Sequence, residues 1–122
     1  MDKKKVDIEF EQDVAEFYQS LGISCGPGDI HYRLIILVME KNGPNRITRF
    51  SEIREYTDQV ADRGSIGSKI KNIFQLQRLA KKVEHGGYVI TGEGLLAAEF
   101  IKYSSENYKN IMKTRKMLER IP

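Results

Sequence analysis

Residues 47–91 read ITRFSEIREYTDQVADRGSIGSKIKNIFQLQRLAKKVEHGGYVIT, and this stretch decides the fold. Its pattern predicts, in order, a short strand, a short helix, a glycine-containing turn, a longer basic helix and a tight two-stranded ribbon. The longer helix is predicted over residues 66–82, and the ribbon pairs Val83–His85 with Tyr88–Thr91 around Gly86 and Gly87, two residues that tolerate positive φ.

The two faces of the predicted 66–82 helix differ in chemistry. At about 100° per residue its apolar side chains fall in one broad sector. These are Ile66, Ile70, Ile73, Phe74, Leu76, Leu79 and Ala80, followed by Val83. The opposite sector holds Ser68, Lys71, Asn72, Gln75, Arg78 and Lys82. A face that is only solvated usually mixes both charge signs, so this acid-free face favours nucleic-acid binding.

The distribution of charge supports the same interpretation, although the net charge of +3 is too small to do so alone. Residues 1–29 carry seven acidic and three basic side chains, whereas residues 62–85 carry six basic and two acidic ones. The positive charge is therefore concentrated on the central segment, where it would attract a polyanion.

The composition is that of one folded domain, with 122 residues, 40% apolar and 30% charged. No apolar run is long enough to span a bilayer, and the charged N-terminus lacks a signal region, so an intracellular, cytoplasmic location is predicted without membrane association. The single cysteine, Cys25, excludes an intrachain disulfide and leaves open a disulfide to a second copy.

Three further helices complete the predicted domain, residues 1–122. The first covers residues 7–21 and has an acidic polar face. The second begins after the N-cap Asp29, covers residues 30–41 and is apolar on most sides, which is typical of a central core helix. The last covers residues 92–120, longer than so small a domain can bury. A second copy of the chain is the simplest partner to bury the rest of this helix. The predicted dimer interface is Ile101, Tyr108, Ile111, Met112 and Leu118.

This order of elements resembles the winged helix-turn-helix fold of small transcription regulators. The resemblance is to compact MarR- and PadR-like proteins, including small archaeal and archaeal-virus regulators that dimerise through terminal helices. It rests on residues 49–89 and on the sequence Ile90-Thr91-Gly92-Glu93-Gly94-Leu95, which is similar to the "L-T-x-x-G" start of the last helix in such regulators. The wing is shorter than usual and the turn between the two helices is longer. The implied architecture is mainly α with a small β-wing (α+β): a winged core at 29–91 and a dimerisation helix at 92–120.

The resemblance implies that helix 66–82 enters the major groove of double-stranded DNA. Asn and Gln can pair bidentately with adenine, and Lys can contact guanine acceptors, whereas cations further along hold phosphates. The candidate DNA-binding residues are Arg49, Ser65, Ser68, Lys69, Lys71, Asn72, Gln75, Arg78, Lys81, Lys82 and His85. For Arg49 and His85, a solvated edge and an ordinary hairpin position are the alternatives.

Catalysis is not expected, because the two histidines, His31 and His85, are far apart and no metal-ligand spacing occurs. No cofactor, metal or small-molecule effector is predicted. The preferred function is a dimeric regulator that binds double-stranded DNA, its two recognition helices about one helical turn apart. A winged-helix module for protein–protein assembly and a non-specific architectural DNA-binding protein remain the alternatives.

Overall fold

The computed structural model describes residues 5–60 and 66–121. It is mainly helical, with a small three-stranded antiparallel sheet and a long C-terminal helix, which confirms the α+β class. The helices are α1 (Ile8–Ser20), α2 (Ile30–Asn42), α3 (Phe50–Thr57), α4 (Ile66–Lys69, continued by the π-helical segment Ile70–Gln75) and α5 (Gly92–Glu119). A 3₁₀ turn, Gly26–Gly28, precedes α2, and the strands are β1 (Thr48–Arg49), β2 (Ala80–Glu84) and β3 (Gly87–Ile90).

Side-chain caps fix the starts of the first two helices close to the predicted positions. Asp7 Oδ1 accepts a hydrogen bond from the Phe10 N–H at 3.1 Å, and Asp29 Oδ1 accepts from the His31 N–H at 3.0 Å. Each carboxylate satisfies an amide that has no partner within its helix.

Helix α2 lies at the centre of the core, as its sequence predicts. Its fully buried apolar residues are Leu34, Ile35, Ile36, Val38 and Met39. All but Leu34 belong to one cluster with buried residues of the other helices and of the sheet, among them Ile53, Phe74 and Ile101. The Tyr32 ring stacks on Phe74 with centroids 5.1 Å apart, which joins α2 to the π-helical segment.

A buried charged network, which the sequence did not reveal, ties α1, α2 and α5 together. The Arg33 side chain is 0% exposed, and its Nε donates to Glu11 Oε1 at 2.8 Å. Its Nη1 donates to Ser104 Oγ at 2.8 Å and its Nη2 donates to Ser105 Oγ, while the Pro27 carbonyl accepts a further bond at 3.1 Å. Burial raises the pKa of Glu11, and the Arg33 charge opposes that shift. A buried guanidinium is tolerated here because its donors have partners.

The sheet has the order β1-β3-β2, and both of its pairings are antiparallel. Ala80 pairs with Ile90, and the chain reverses at His85 and Gly86, where Gly86 has a φ of 70° that favours glycine. The predicted hairpin is therefore confirmed, but its first strand begins three residues earlier than predicted, at Ala80 rather than Val83.

The predicted helix over residues 66–82 is wrong at its C-terminal end, because the helical backbone stops at Gln75. The Leu79 N–H bonds the Phe74 carbonyl at 2.7 Å, and Arg78 adopts a left-handed φ of 61°, which ends the helix. Ala80 and the lysines after it are good helix formers, but pairing with β3 overrides that preference. The π-helical turn contains one more residue than an α-turn, so the helical wheel also misplaces Leu76, which is 71% exposed.

Helix α5 begins as predicted and continues to Glu119. Thr91 Oγ1 accepts from the Gly94 N–H at 3.1 Å and donates to the Arg78 carbonyl at 2.6 Å. A Cβ added at Gly94 would lie 2.1 Å from the Leu79 carbonyl oxygen, so only glycine fits there. The Thr-x-x-Gly sequence thus holds the turn after α4 against the start of α5. None of the helices in the described part of the chain is long and apolar enough to cross a bilayer.

Candidate nucleic-acid interface

Helix α4 with its π-helical continuation presents a polar, exposed face. Ser68, Lys71 and Asn72 are exposed, and Gln75 at the end of the segment is partly buried. Asn72 Nδ2 donates to Ser68 Oγ at 3.0 Å, so these two side chains lie on the same face, as the sequence predicts. They are short hydrogen-bonding groups that can pair with base edges.

Beside this face, a shallow depression of about 460 Å³ collects cations from the turn and from the first hairpin strand. It is lined by Gln75, Arg78, Ala80, Lys81, Lys82 and Thr91. The sequence predicted that Arg78, Lys81 and Lys82 belong to the helix. In the structure, these three cations lie after its end. Arg78 lies in the turn after the helical segment, and Lys81 and Lys82 lie on β2, so the positive surface extends beyond the helix.

The backbone of Arg78 marks this position as unusual. Its φ of 61° is the only positive value at a non-glycine residue in the described part of the chain. A left-handed conformation costs an ordinary side chain roughly 1–2 kcal/mol, which glycine would avoid. Arginine therefore occupies a position that backbone geometry alone would assign to glycine, and strained positions of this kind cluster at functional sites.

Four cations of this surface have no acidic partner among the described residues: Lys71, Arg78, Lys81 and Lys82. The sequence has no acid between residues 66 and 83. Their charge is therefore available to an external anion. We call the surface formed by these four cations with Ser68, Asn72 and Gln75 the basic face.

Two of the predicted cations instead pair with carboxylates of the chain. Lys69 Nζ lies 2.6 Å from Asp29 Oδ2, where it joins α4 to the start of α2 and is mostly buried. Arg49 Nη1 lies 2.8 Å from Glu84 Oε2, where it braces β1 against the hairpin. Both ion pairs join parts of the fold, so these two cations have a structural role. The alternative interpretation of Arg49 as a solvated edge residue does not account for its ion pair. His85 is exposed at the hairpin turn, whereas Ser65 lies outside the described residues.

Sequence reasoning missed Thr91 as part of this surface. Thr91 lines the depression and fixes the Arg78 carbonyl, so it positions the turn that carries Arg78. Its N-cap position before Gly92 was visible in the sequence, but its contact with Arg78 depends on how α5 packs.

The predicted dimer residues of α5 are divided among different environments. Ile101 is fully buried in the core of its own chain, so it cannot contact a second copy as predicted. The Tyr108 ring packs edge-on against Phe17 at 5.4 Å, and Met112 lines a depression beside α1. Ile111 is partly buried. Leu118 is exposed. Three of the five therefore face their own domain, because the apolar face that the heptad pattern selected is covered by α1 and α2.

No protein-family model, no curated protein and no solved structure matches this chain.

Proposed function

We propose that this chain is a winged helix-turn-helix protein that binds double-stranded DNA through the basic face and regulates transcription as a dimer. The order of elements supports the fold: α2, β1, α3 and α4 precede a hairpin whose second strand pairs with β1. In this arrangement α4 is the recognition helix and the β2–β3 hairpin is the wing.

The observation that carries the proposal is the set of four cations, without acidic partners in the described part of the chain, gathered beside a helix face of amides and hydroxyls. Phosphate contacts come from cations and give affinity, while base edges are read by groups such as Asn and Gln. Lys71, Arg78, Lys81 and Lys82 suit the first role, and Asn72 and Gln75 suit the second. The cations lie on the helical segment, on the turn after it and on β2, so they would contact the phosphates that flank the groove that α4 enters.

The shape of the hairpin limits what the wing contributes. Its turn consists of His85 and Gly86, and the Gly86 carbonyl accepts a bond from the Phe50 N–H at 2.8 Å, so the turn is held close to α3. We therefore assign recognition of the DNA bases to α4, and contacts with the phosphates to Lys81 and Lys82 of the wing.

The test is selection of bound duplexes from a random pool, at several salt concentrations, followed by sequencing of the retained fraction. A symmetric enriched site with steep salt dependence supports a dimeric regulator. Salt-sensitive binding without an enriched motif would replace the regulator with an architectural DNA-binding protein. No binding at low salt would overturn the DNA proposal and favour the protein-assembly alternative.

Two substitutions refine this test. Asn72→Ala and Gln75→Ala should each change the enriched motif, because each amide can discriminate one base pair by roughly 1–3 kcal/mol. If both variants select the wild-type motif, α4 does not read the groove through these residues.

A further inference from the structure

The outward face of α5 carries a continuous seam without charge. Its members alternate at intervals of four and three residues, which is the spacing of a coiled-coil seam. On α5 they are Leu96, Phe100, Tyr103, Asn107, Asn110, Thr114 and Met117, and Ile121 continues the spacing two residues after the helix ends; all of them are exposed. Phe100 is 56% exposed and Tyr103 is 69% exposed. From Leu96 to Met117 the seam extends about 32 Å along α5.

Most of this seam lies away from the face that α5 uses within its own domain, although Asn107 Nδ2 donates to the Tyr18 hydroxyl of α1 at 3.4 Å. Ala98, Ile101, Ser104 and Ser105 are buried against the domain, the two serines through Arg33. The helix therefore has two uncharged stripes, of which the domain covers mainly one. Exposed aromatic residues at coiled-coil spacing indicate a helical partner.

The charges along one edge of the seam identify that partner. Four charged residues, each directly before a seam residue and seven residues from the next, lie along one edge of the seam. They are Glu99, Glu106, Lys113 and Arg120, so the edge is acidic in its first half and basic in its second. Glu99 and Glu106 make only exposed contacts to lysines of the same helix at 3.3 Å, and such contacts contribute little.

We propose that a second copy of this chain packs antiparallel on the seam. In that arrangement Glu99 faces Arg120 of the second copy, and Glu106 faces Lys113 of the second copy. A two-fold axis repeats both pairs, which gives four ion pairs in all. In a parallel dimer the same edge would face Ala97, Ser104, Ile111 and Leu118 of the second copy, which offer no opposite charge.

The spacing of the seam is also symmetric, which an isologous contact requires. Read from either end, the intervals are the same. Leu96 therefore meets Ile121 of the second copy, Phe100 meets Met117, Tyr103 meets Thr114 and Asn107 meets Asn110. Polar residues meet at the centre and apolar residues at both ends. An amide layer inside a seam fixes the register of the two helices.

This proposal specifies the dimer that the proposed function requires, but it does not depend on DNA. Its test measures self-association without nucleic acid, so failure to bind DNA leaves it intact. Conversely, a monomeric chain could still bind DNA through the basic face.

Disulfide trapping tests the orientation directly, in a Cys25→Ser background that removes the native thiol. Phe100→Cys and Met117→Cys proteins are prepared separately, oxidised alone or mixed, and analysed on non-reducing gels. In an antiparallel dimer, equal positions lie about 26 Å apart along the axis and cannot bond, so only the mixture should give a disulfide-linked dimer. Cross-linking of Phe100→Cys alone would establish a parallel pair and overturn the proposal, as would no cross-link in any sample.

A charge swap tests the ion pairs, with the dissociation constant measured by sedimentation equilibrium. Glu106→Lys should weaken the dimer by about tenfold, because two pairs become repulsive. Adding Lys113→Glu should restore the wild-type constant, since the pairs are re-formed in reverse. Lys116→Glu, an exposed charge away from the seam, is the control and should have little effect. Equal effects of Glu106→Lys and Lys116→Glu, or no restoration in the double variant, would contradict the assigned pairs.

Discussion

Arg33 and the cations of the basic face are all positively charged, but they differ in burial and in their partners. Arg33 is fully buried, and its guanidinium bonds to a carboxylate, two hydroxyls and a carbonyl from three separate parts of the chain. The four cations of the basic face are exposed and have no acidic partner among the described residues. The guanidinium of Arg33 has its partners inside the fold, whereas the charge of the basic face remains available to a ligand.

This difference separates the cations that the fold uses from the cations that remain available to a ligand. Lys69 and Arg49 belonged to the same predicted binding set as Lys71 and Arg78, but each forms an ion pair within the chain: Lys69 with Asp29 in a mostly buried position, and Arg49 with Glu84 in a half-exposed one. Removing a paired and fully buried cation such as Arg33 should lower stability, whereas removing an exposed, unpaired cation of the basic face should lower DNA affinity.

The largest effect is expected for Arg33→Ala. This change leaves Glu11 buried without its partner and opens a cavity between α1, α2 and α5, so the free energy of unfolding should fall by about 3–5 kcal/mol. Urea denaturation measures it, and the exposed Arg46→Ala is a matched control that should stay within roughly 0.5 kcal/mol of wild type. A decrease at Arg33 no larger than at Arg46 would show that the buried network contributes nothing.

The next effect is expected for the double variant Lys81→Ala/Lys82→Ala, which should leave stability almost unchanged but weaken DNA binding. Affinity for all sequences should fall by about tenfold at physiological salt, and the salt slope should decrease by about 0.9 for each phosphate that the variant no longer binds. Fluorescence anisotropy at several salt concentrations measures both quantities. Lys5→Ala/Lys116→Ala removes the same charge elsewhere, and an equal decrease in that variant would mean that net charge, rather than the basic face, sets affinity.

A smaller effect, with opposite signs for stability and binding, is expected for Arg78→Gly. Glycine adopts a φ of 61° without strain, so the free energy of unfolding should rise by up to about 1 kcal/mol while DNA affinity falls. Arg78→Lys is the companion variant, which keeps the charge and the strain and should retain binding without gaining stability. Reduced stability in Arg78→Gly would mean that the arginine side chain supports the fold.

The smallest effect concerns the pH dependence that Glu11 contributes. Burial raises the pKa of Glu11 in the folded protein above its usual value, with Arg33 opposing the shift. The folded state then binds this proton more tightly, so the contribution of Glu11 to stability is fully present below its unfolded pKa and is lost as pH rises through the folded value. The free energy of unfolding of wild type relative to Glu11→Gln should therefore decrease as pH rises from about 4. An increase over that range would reverse the assigned direction.

The sequence predicted those features that depend on local chemistry. The predicted cap at Asp29 is a side-chain contact to amides two or three residues away, and the apolar pattern of α2 can be recognised without knowledge of its neighbours. The acid-free character of residues 66–83 is likewise a property of the chain itself. These features located three of the helices and most of the basic face.

The features that were missed depend on contacts between distant residues. The end of α4 at Gln75 follows from pairing of β2 with β3 and from the bond between Thr91 and the Arg78 carbonyl. The burial of Arg33 could not be predicted, because arginine is rarely buried and its partners come from positions up to 72 residues away. On α5, the predicted interface contains Ile101, and only the packing of the helix shows that Ile101 faces its own domain.

The most direct test of the proposed basic face is a titration of the ¹⁵N-labelled protein with a short DNA duplex, monitored by amide chemical shifts. Shifts concentrated at residues 66–85, with α1 and the outward seam of α5 unaffected, are the expected result. Shifts centred on α1 or α5, with residues 66–85 unchanged, would contradict the assignment of this surface to DNA.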